Sequence, residues 1–217
     1  MKIRAWAVAL TTLLVSSPVL ADAFTGIYVQ GLLGGGRSST NVRGTASDFD
    51  GDYTQNQMLG QIAAGGSQSY GRFSLAVGAF YTVGEQKSGK KTYADAFGSL
   101  DANVKLKNVM GITVEPGFYV SPTALVYAKL GYAATTAGVK LTQVTTGGGS
   151  RTFNEEGDYN GFLLGAGMKL RFNERLYGVA EVQQVSYNRK DLDYGNGLTV
   201  SIKPSHFGAF VGVGARF

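Results

Sequence analysis

A chain of 217 residues with a formal net charge of +5 is the length of one domain. It has no cysteine, which excludes disulfides and thiol chemistry. Its lysines and arginines are not gathered into one run, which argues against a nucleic-acid partner. Glycine reaches 32, about twice the usual share, proline only 4, and tyrosine and phenylalanine 12 each, a balance that suits a β-barrel better than a soluble enzyme.

The chain opens on Met1-Lys2-Ile3-Arg4, a basic start. An apolar run from Ala5 to Val15 and a small-residue site ending at Ala21 follow. This is the pattern of a secretory signal peptide over residues 1–21. Its apolar stretch is shorter than the roughly 20 residues a spanning helix needs. Cleavage there would remove Lys2 and Arg4 and leave residues 22–217 at +3.

Beyond the leader, alternation of apolar with small or polar residues predicts eight strands, because successive strand side chains point to opposite faces. They span Phe24–Gly35, Gln57–Gln68, Arg72–Gly84, Val104–Val120, Ala124–Thr136, Gly161–Phe172, Leu176–Tyr187 and His206–Phe217. Short turn signals at Ser69-Tyr70-Gly71, Ser121-Pro122-Thr123 and Asn173-Glu174-Arg175 are centred 52 residues apart. Between them lie polar stretches at Gly36–Asn56, Glu85–Asn103, Ala137–Asn160 and Asn188–Ser205. Their Gly, Ser, Thr, Asn and Asp favour loops. Short and long connections in strict alternation are the organisation of a transmembrane barrel. The fold class expected is all-β: an eight-stranded antiparallel up-and-down transmembrane β-barrel, preceded by a cleavable signal peptide.

The last strand carries this reading most clearly. Phe207, Ala209, Val211, Val213, Ala215 and Phe217 share one face; Gly208, Phe210, Gly212, Gly214 and Arg216 share the other. A strand between lipid and a crowded lumen needs that pattern. A lipocalin-like soluble barrel would place its charges outside, whereas here they fall on the inner face. In the seventh strand Gln184 points at lipid, so a bulge or the membrane boundary is expected there.

The interior charges are the first candidate site. Glu115 and Lys129 are equidistant from the turn at Pro122 and should sit side by side. Lys107 is also assigned inward; Glu181 lies at a similar height, Lys169 and Arg171 lower, and Arg216 near the bottom. Buried charge must be paired. Two roles stand open for Glu115, Lys129, Lys169, Arg171 and Glu181: a charged gate in a narrow pore, or a salt-bridge plug in a closed barrel. The small lumen of eight strands favours the plug. The inward glycines Gly78, Gly111, Gly131, Gly165, Gly167, Gly212 and Gly214 favour some open volume.

His206 is the only histidine, and with no cysteine a transition-metal site is not expected. Ser205 faces the opposite side of its strand, so the two do not make a nucleophilic pair. Asp48, Asp50 and Asp52 suggest a calcium loop but lack its distal glutamate, so a solvated turn is expected. No catalytic residue, cofactor or metal is assigned. Lys87, Lys90 and Lys91 form a basic cluster that could meet lipopolysaccharide phosphates or a host polyanion.

Glu115-Pro116-Gly117-Phe118-Tyr119-Val120-Ser121-Pro122 with Ala124-Leu125-Val126-Tyr127-Ala128-Lys129-Leu130-Gly131-Tyr132 resembles the central hairpin of the small outer-membrane barrels, the OmpA-like, OmpX-like and opacity-porin group. Gly161-Phe162-Leu163-Leu164-Gly165-Ala166-Gly167-Met168 followed by Ala180-Glu181-Val182 resembles its next hairpin. The resemblance implies the fold and the outer membrane of a Gram-negative bacterium. It also implies that the terminal Gly-Ala-Arg-Phe, with Val213, Ala215 and Phe217 on the lipid face, is read by the barrel-assembly machinery. It does not choose a function, because the group includes anchors, adhesins, minor porins and enzymes. In the group's lipid A deacylases the nucleophile follows the histidine at a two-residue spacing; Gly208 stands there in this chain. The function expected is therefore a non-enzymatic, monomeric structural and surface-interaction protein. Its partners would be outer-membrane lipid, lipopolysaccharide and a host or matrix ligand at four outer loops. The alternative is a narrow porin for ions or small solutes.

Overall fold

In the computed structural model, residues 24–44, 51–84, 86–95, 98–145, 149–193 and 199–217 are described below. The leader expected at residues 1–21, and Asp48 and Asp50, lie outside them. Ten strands are present among the described residues: β1 Gly26–Gly44, β2 Gly51–Tyr70, β3 Phe73–Val83, β4 Gln86–Asp95, β5 Gly98–Ser121, β6 Ala124–Thr145, β7 Ser150–Arg171, β8 Leu176–Tyr187, β9 Lys190–Asp193 and β10 Thr199–Arg216.

They form one antiparallel sheet, which closes when β1 pairs with β10 from Tyr28↔Arg216 to Gly44↔Val200. β4 continues β3 along β5, and β9 continues β8 along β10. The barrel thus has eight walls. No helix among the described residues is long and apolar enough to cross a membrane. Closure leaves no edge, which is the condition for strands to cross a bilayer.

The three short turns fall where the sequence signals them. Gly71, at φ +61°, is first in the two-residue loop between Tyr70 and Phe73, the place where a hairpin of this kind needs glycine. Pro122-Thr123 joins β5 to β6. In the third turn the Asn173 side-chain oxygen accepts from the backbone N–H of Arg175 at 2.9 Å and of Leu176 at 2.8 Å.

The outer connections differ from expectation. The four polar stretches read as long loops are mostly ladder: β1 reaches Gly44 and β2 restarts at Gly51, and β6 reaches Thr145 before β7 begins at Ser150. Hydrophobic alternation records contact with lipid and lumen and ends where the bilayer ends. Backbone pairing continues beyond it, because every N–H and C=O still needs a partner. Of the bulge or membrane boundary expected at Gln184, the bulge is absent, for β8 runs from Leu176 to Tyr187 without a register shift. Register shifts lie instead on β5, between Tyr119 and Ser121 and between Lys107 and Met110, where Asn108 takes φ 54°, and on β4 between Lys87 and Lys90. A one-residue slip exchanges the two faces of a strand. The inward alternation drawn through Lys107 therefore does not carry across it.

Within the membrane span the two faces are as expected. Ile27, Phe73, Val77, Ile112, Leu130, Leu164, Val211 and Phe217 are exposed on the outer wall. Large residues gather at its two ends. Phe73 and Phe118 meet edge-on at 5.4 Å near the short turns, and Tyr132 and Phe162 at 5.6 Å near the far end. Aromatic girdles of this kind mark the membrane interfaces.

The lumen is filled. A lower cluster holds Phe24, Tyr28, Leu32, Tyr119, Tyr177 and Phe210, and an upper one Phe80, Val109, Tyr159, Leu163, Val185 and Tyr187. Phe24 closes the lower mouth, stacked against Tyr119 at 6.0 Å and edge-on to Tyr177 at 5.6 Å. Several inward glycines prove to be seats for these rings rather than open volume. A Cβ at Gly167 would strike the Tyr127 ring, at Gly214 the Tyr177 ring, at Gly111 the Phe80 ring and at Gly78 the Tyr28 hydroxyl. Gly167→Ala is expected to lower stability by about 1–3 kcal/mol, the usual cost of overpacking, in urea unfolding of the micelle-bound barrel followed by circular dichroism. Gly66→Ala, on the outer wall with nothing within 4 Å, is the matched control and should leave the midpoint unchanged.

Candidate functional site

The expected interior charges gather at mid-barrel between the two aromatic clusters. Glu115 is 3% exposed, Lys129 1%, Lys169 4% and Glu181 3%. They form two ion pairs. Lys129 Nζ donates to Glu181 Oε1 at 2.7 Å, and Lys169 Nζ to Glu115 Oε2 at 2.9 Å. The side-by-side pair drawn between Glu115 and Lys129 is not the one made. Their strands are neighbours, with Val114 opposite Leu130, yet each lysine bonds a carboxylate two strands away.

The glycines of β7 explain this crossing for Lys129. Gly165 lies between Lys129 and Gln183, and Gly167 between Tyr127 and Glu181. With no side chain on that stretch of inner wall, the chains of β6 lie across β7 and reach β8. Tyr127 uses the same opening, and its hydroxyl donates to Glu181 Oε2 at 2.8 Å.

Aromatic rings join the pairs into one network. Lys169 Nζ sits 4.7 Å from the centroids of both Tyr28 and Tyr127, and Lys129 Nζ 5.6 Å from that of Phe80. A ring face attracts a cation most when water is excluded. Thr113 Oγ1 donates to Glu115 Oε1 at 3.5 Å. Each charge thus has an opposite charge and a polar or aromatic neighbour, the condition for burying it at tolerable cost. A cavity of about 10 Å³ lies beside Glu115 and Lys169, lined also by Tyr28, Tyr127 and Tyr177, space for one water at most.

Arg171 does not join this group. It lies half-buried at the lower rim, opposite Tyr177. Arg216 ties the same rim together, its Nε donating to the Glu174 carbonyl at 2.6 Å and its Nη1 to the Thr25 carbonyl at 3.2 Å. Phe217, 81% exposed, and Val213 face outward, and the Phe217 N–H donates to the Ile27 carbonyl at 2.8 Å. Ala215 lies between them, half-buried.

Sequence reasoning missed the partner of His206. Its Nδ1 lies 3.1 Å from Ser38 Oγ, which also accepts from Gln57 Nε2 at 2.9 Å. Ser205 instead donates to the Ser39 carbonyl at 3.3 Å. Ser38 and His206 face each other only because β1 closes on β10, a contact between the chain's two ends with no local signal. Ser38 is 0% exposed, so this serine and histidine form a packed polar contact of the inner wall. Among the described residues no cluster of three metal-ligating side chains occurs.

Removing one partner of a buried pair leaves the other uncompensated. Lys129→Met should cost about 3–5 kcal/mol in urea unfolding of the micelle-bound protein. Lys129→Met with Glu181→Gln, which keeps an acceptor for Tyr127, should regain most of it. An unchanged midpoint in the single variant would mean that the network contributes nothing to stability.

Comparison with known proteins places this architecture. The family profile described as the outer membrane protein beta-barrel domain matches residues 7–217. No curated protein matches the chain. Among solved structures, the outer membrane protease OmpT of Escherichia coli is similar at 9% identity and a TM-score of 0.54, over 88% of this chain and 97% of its own. The attachment invasion locus protein Ail of Yersinia pestis is similar at 13% identity and a TM-score of 0.42, over 89% and 100%. OprG of Pseudomonas aeruginosa is similar at 10% identity and a TM-score of 0.46, over 91% and 98%. At these identities the likeness concerns the fold alone. Profile, closure and lipid-facing wall agree: the chain belongs to the outer-membrane β-barrel family and is an integral protein of the Gram-negative outer membrane.

Proposed function

We propose that this protein is a closed, non-enzymatic barrel that anchors a display of outer hairpins, acting as a structural and surface-interaction protein. The observation that carries the reading is the filled lumen. Two ion pairs are capped below and above by aromatic clusters, and four of the seven glycines that argued for open volume, Gly78, Gly111, Gly167 and Gly214, seat aromatic side chains instead. The wall's strands continue past the membrane, and connections on a rigid scaffold are where binding usually lives. The ligand at the tips is a host or matrix molecule, and the barrel works as a monomer. Planar-bilayer recording is expected to show no reproducible openings. Large openings that change with Glu115→Gln or Lys129→Gln would instead establish the narrow porin. Replacing Glu85–Asn103 by a short turn should abolish adhesion of expressing cells to matrix while leaving the barrel heat-modifiable.

Assembly belongs to the same proposal. Phe217, Ala215 and Val213 close the lipid face of β10, the strand that must meet β1 to finish the barrel. We assign them to recognition by the insertion machinery. Deleting Phe217 should deplete the protein from outer-membrane fractions, while the purified variant still folds in micelles. Unchanged surface levels would remove this role.

A further inference from the structure

Between Leu32 and Ser38 the inner side of the closing seam carries no β1 side chain, because Gly34 and Gly36 stand there. Two rings of β10 lie over the gap. A Cβ at Gly34 would strike the Phe210 ring, and a Cβ at Gly36 the His206 ring. Gly208, directly opposite Gly36, lies under both, since a Cβ there would meet the Phe210 ring and His206 Nε2. His206 is the upper of the two rings and stands opposite Ser38.

Hydrogen bonds run through this upper ring in one direction. Gln57 Nε2 donates to Ser38 Oγ at 2.9 Å, which leaves the Ser38 hydroxyl proton to donate to His206 Nδ1 at 3.1 Å. That order puts the ring proton on Nε2. Nε2 is buried and has no hydrogen-bond partner among the described residues.

Among the described residues no anion faces the ring. β1 presents Ser38 and Gly36, β2 presents Gln57, and β8 presents Val185 with Gln183 below it and Tyr187 above. Arg37 and Lys203 are exposed on the outer wall. Lys190, held over the Tyr159 ring at 4.8 Å, is itself a cation. Glu181 lies four residues further down β8 than Val185, about 13 Å along the strand, and is engaged by Lys129. A proton taken up from solvent by Nδ1 therefore reverses the demand at that atom. Nδ1–H and the Ser38 O–H are then both donors, and the Ser38 oxygen already accepts from Gln57. The imidazolium meets no carboxylate, and an unpaired buried charge is costly.

We propose that His206 is an acid-sensitive latch on the closing seam: once charged, its ring leaves Gly36 and Gly208, and the outer end of the ladder between β1 and β10 opens. The lower seam stays shut, covered by Phe210 and paired down to Tyr28↔Arg216. The latch works in the acid range, where an imidazole takes up its proton. The inference stands on the seam and not on the filled lumen, so conductance in a bilayer at neutral pH leaves it intact.

The test is nuclear magnetic resonance of the isotope-labelled full barrel in dodecylphosphocholine micelles, where the single histidine of the chain gives one set of imidazole signals. At about pH 8 the ring nitrogens should show the proton on Nε2. Down to about pH 4.5, the imidazole signals and the amide signals of Gly36–Ser38 and His206–Gly208 should change together with one midpoint. Over the same range those amides should exchange at least about tenfold faster relative to Gly165–Gly167 on β7. In His206→Asn the side-chain oxygen still accepts from Ser38 but takes up no proton, so the seam should stay closed in acid. Gln57→Glu sets a carboxylate beside Ser38, which can then donate to it and accept from Nδ1–H, so the seam should stay closed with the imidazole charged. Heat-modifiability checks that each variant folds, and either one alone decides the question. The proposal fails if the parent's imidazole takes up its proton with no change at the seam, or takes up none down to about pH 4.5. It fails equally if either folded variant loosens in acid as the parent does.

Discussion

A strand inside a bilayer has no water to satisfy its backbone, so every N–H and C=O must be paired within the sheet. The pairing of β1 with β10 meets that demand and fixes nearly everything else. Eight walls enclose a lumen only as wide as the side chains that fill it. A bulky group on one strand then needs a missing one on the strand it faces. The rings of Tyr28, Phe80, Tyr127 and Tyr177 against Gly78, Gly111, Gly167 and Gly214 are the local form of that constraint. The glycine content noted in the sequence is thus a packing property, complementary to the aromatic content and not independent of it.

The same narrowness accounts for the charges. In a wide, wet pore a lysine and a glutamate on neighbouring strands would pair through the shortest route and exchange with water. Here Lys129 passes over the bare stretch of β7 to Glu181, and Lys169 reaches Glu115 between two tyrosine rings. Each lysine touches an element it is not hydrogen-bonded to along the ladder. The network therefore links strands across the lumen, in the one direction that backbone hydrogen bonds do not cover. Burying ions is a poor way to gain stability, but it is a good way to make one arrangement better than its competitors.

How much of this was legible in the sequence depended on the range of the signal. Alternation in β3, β7 and β10 located lipid and lumen faces correctly, because period two is local and the bilayer enforces it. The common height of Glu115, Lys129 and Glu181 followed from counting outward from the turns at Pro122 and Asn173; Lys169, counted lower, reaches that layer through its ion pair with Glu115. Their pairing did not, since it depends on what Gly165 and Gly167 leave empty on a third strand. The contact between Ser38 and His206 was out of reach, being created by closure alone. The outer hairpins were misread for a different reason: polar residues such as Thr142, Asn154 and Thr199 fit a ladder in water as well as a loop. The slip at Asn108 left no mark that hydrophobicity would show.

That slip has an evolutionary side. Below Asn108 the identity of each β5 residue is tied to its face by lipid on one side and packed rings on the other. Above it the parity is reset, so the outer part of the strand keeps its own inside and outside. A single-residue insertion or deletion arising beyond the slip inverts the outer hairpin's faces without moving Thr113, Glu115 or Tyr119. The barrel and what it carries are thereby separable inheritances on one continuous strand, and the outer part is free to diversify while the transmembrane part stays fixed.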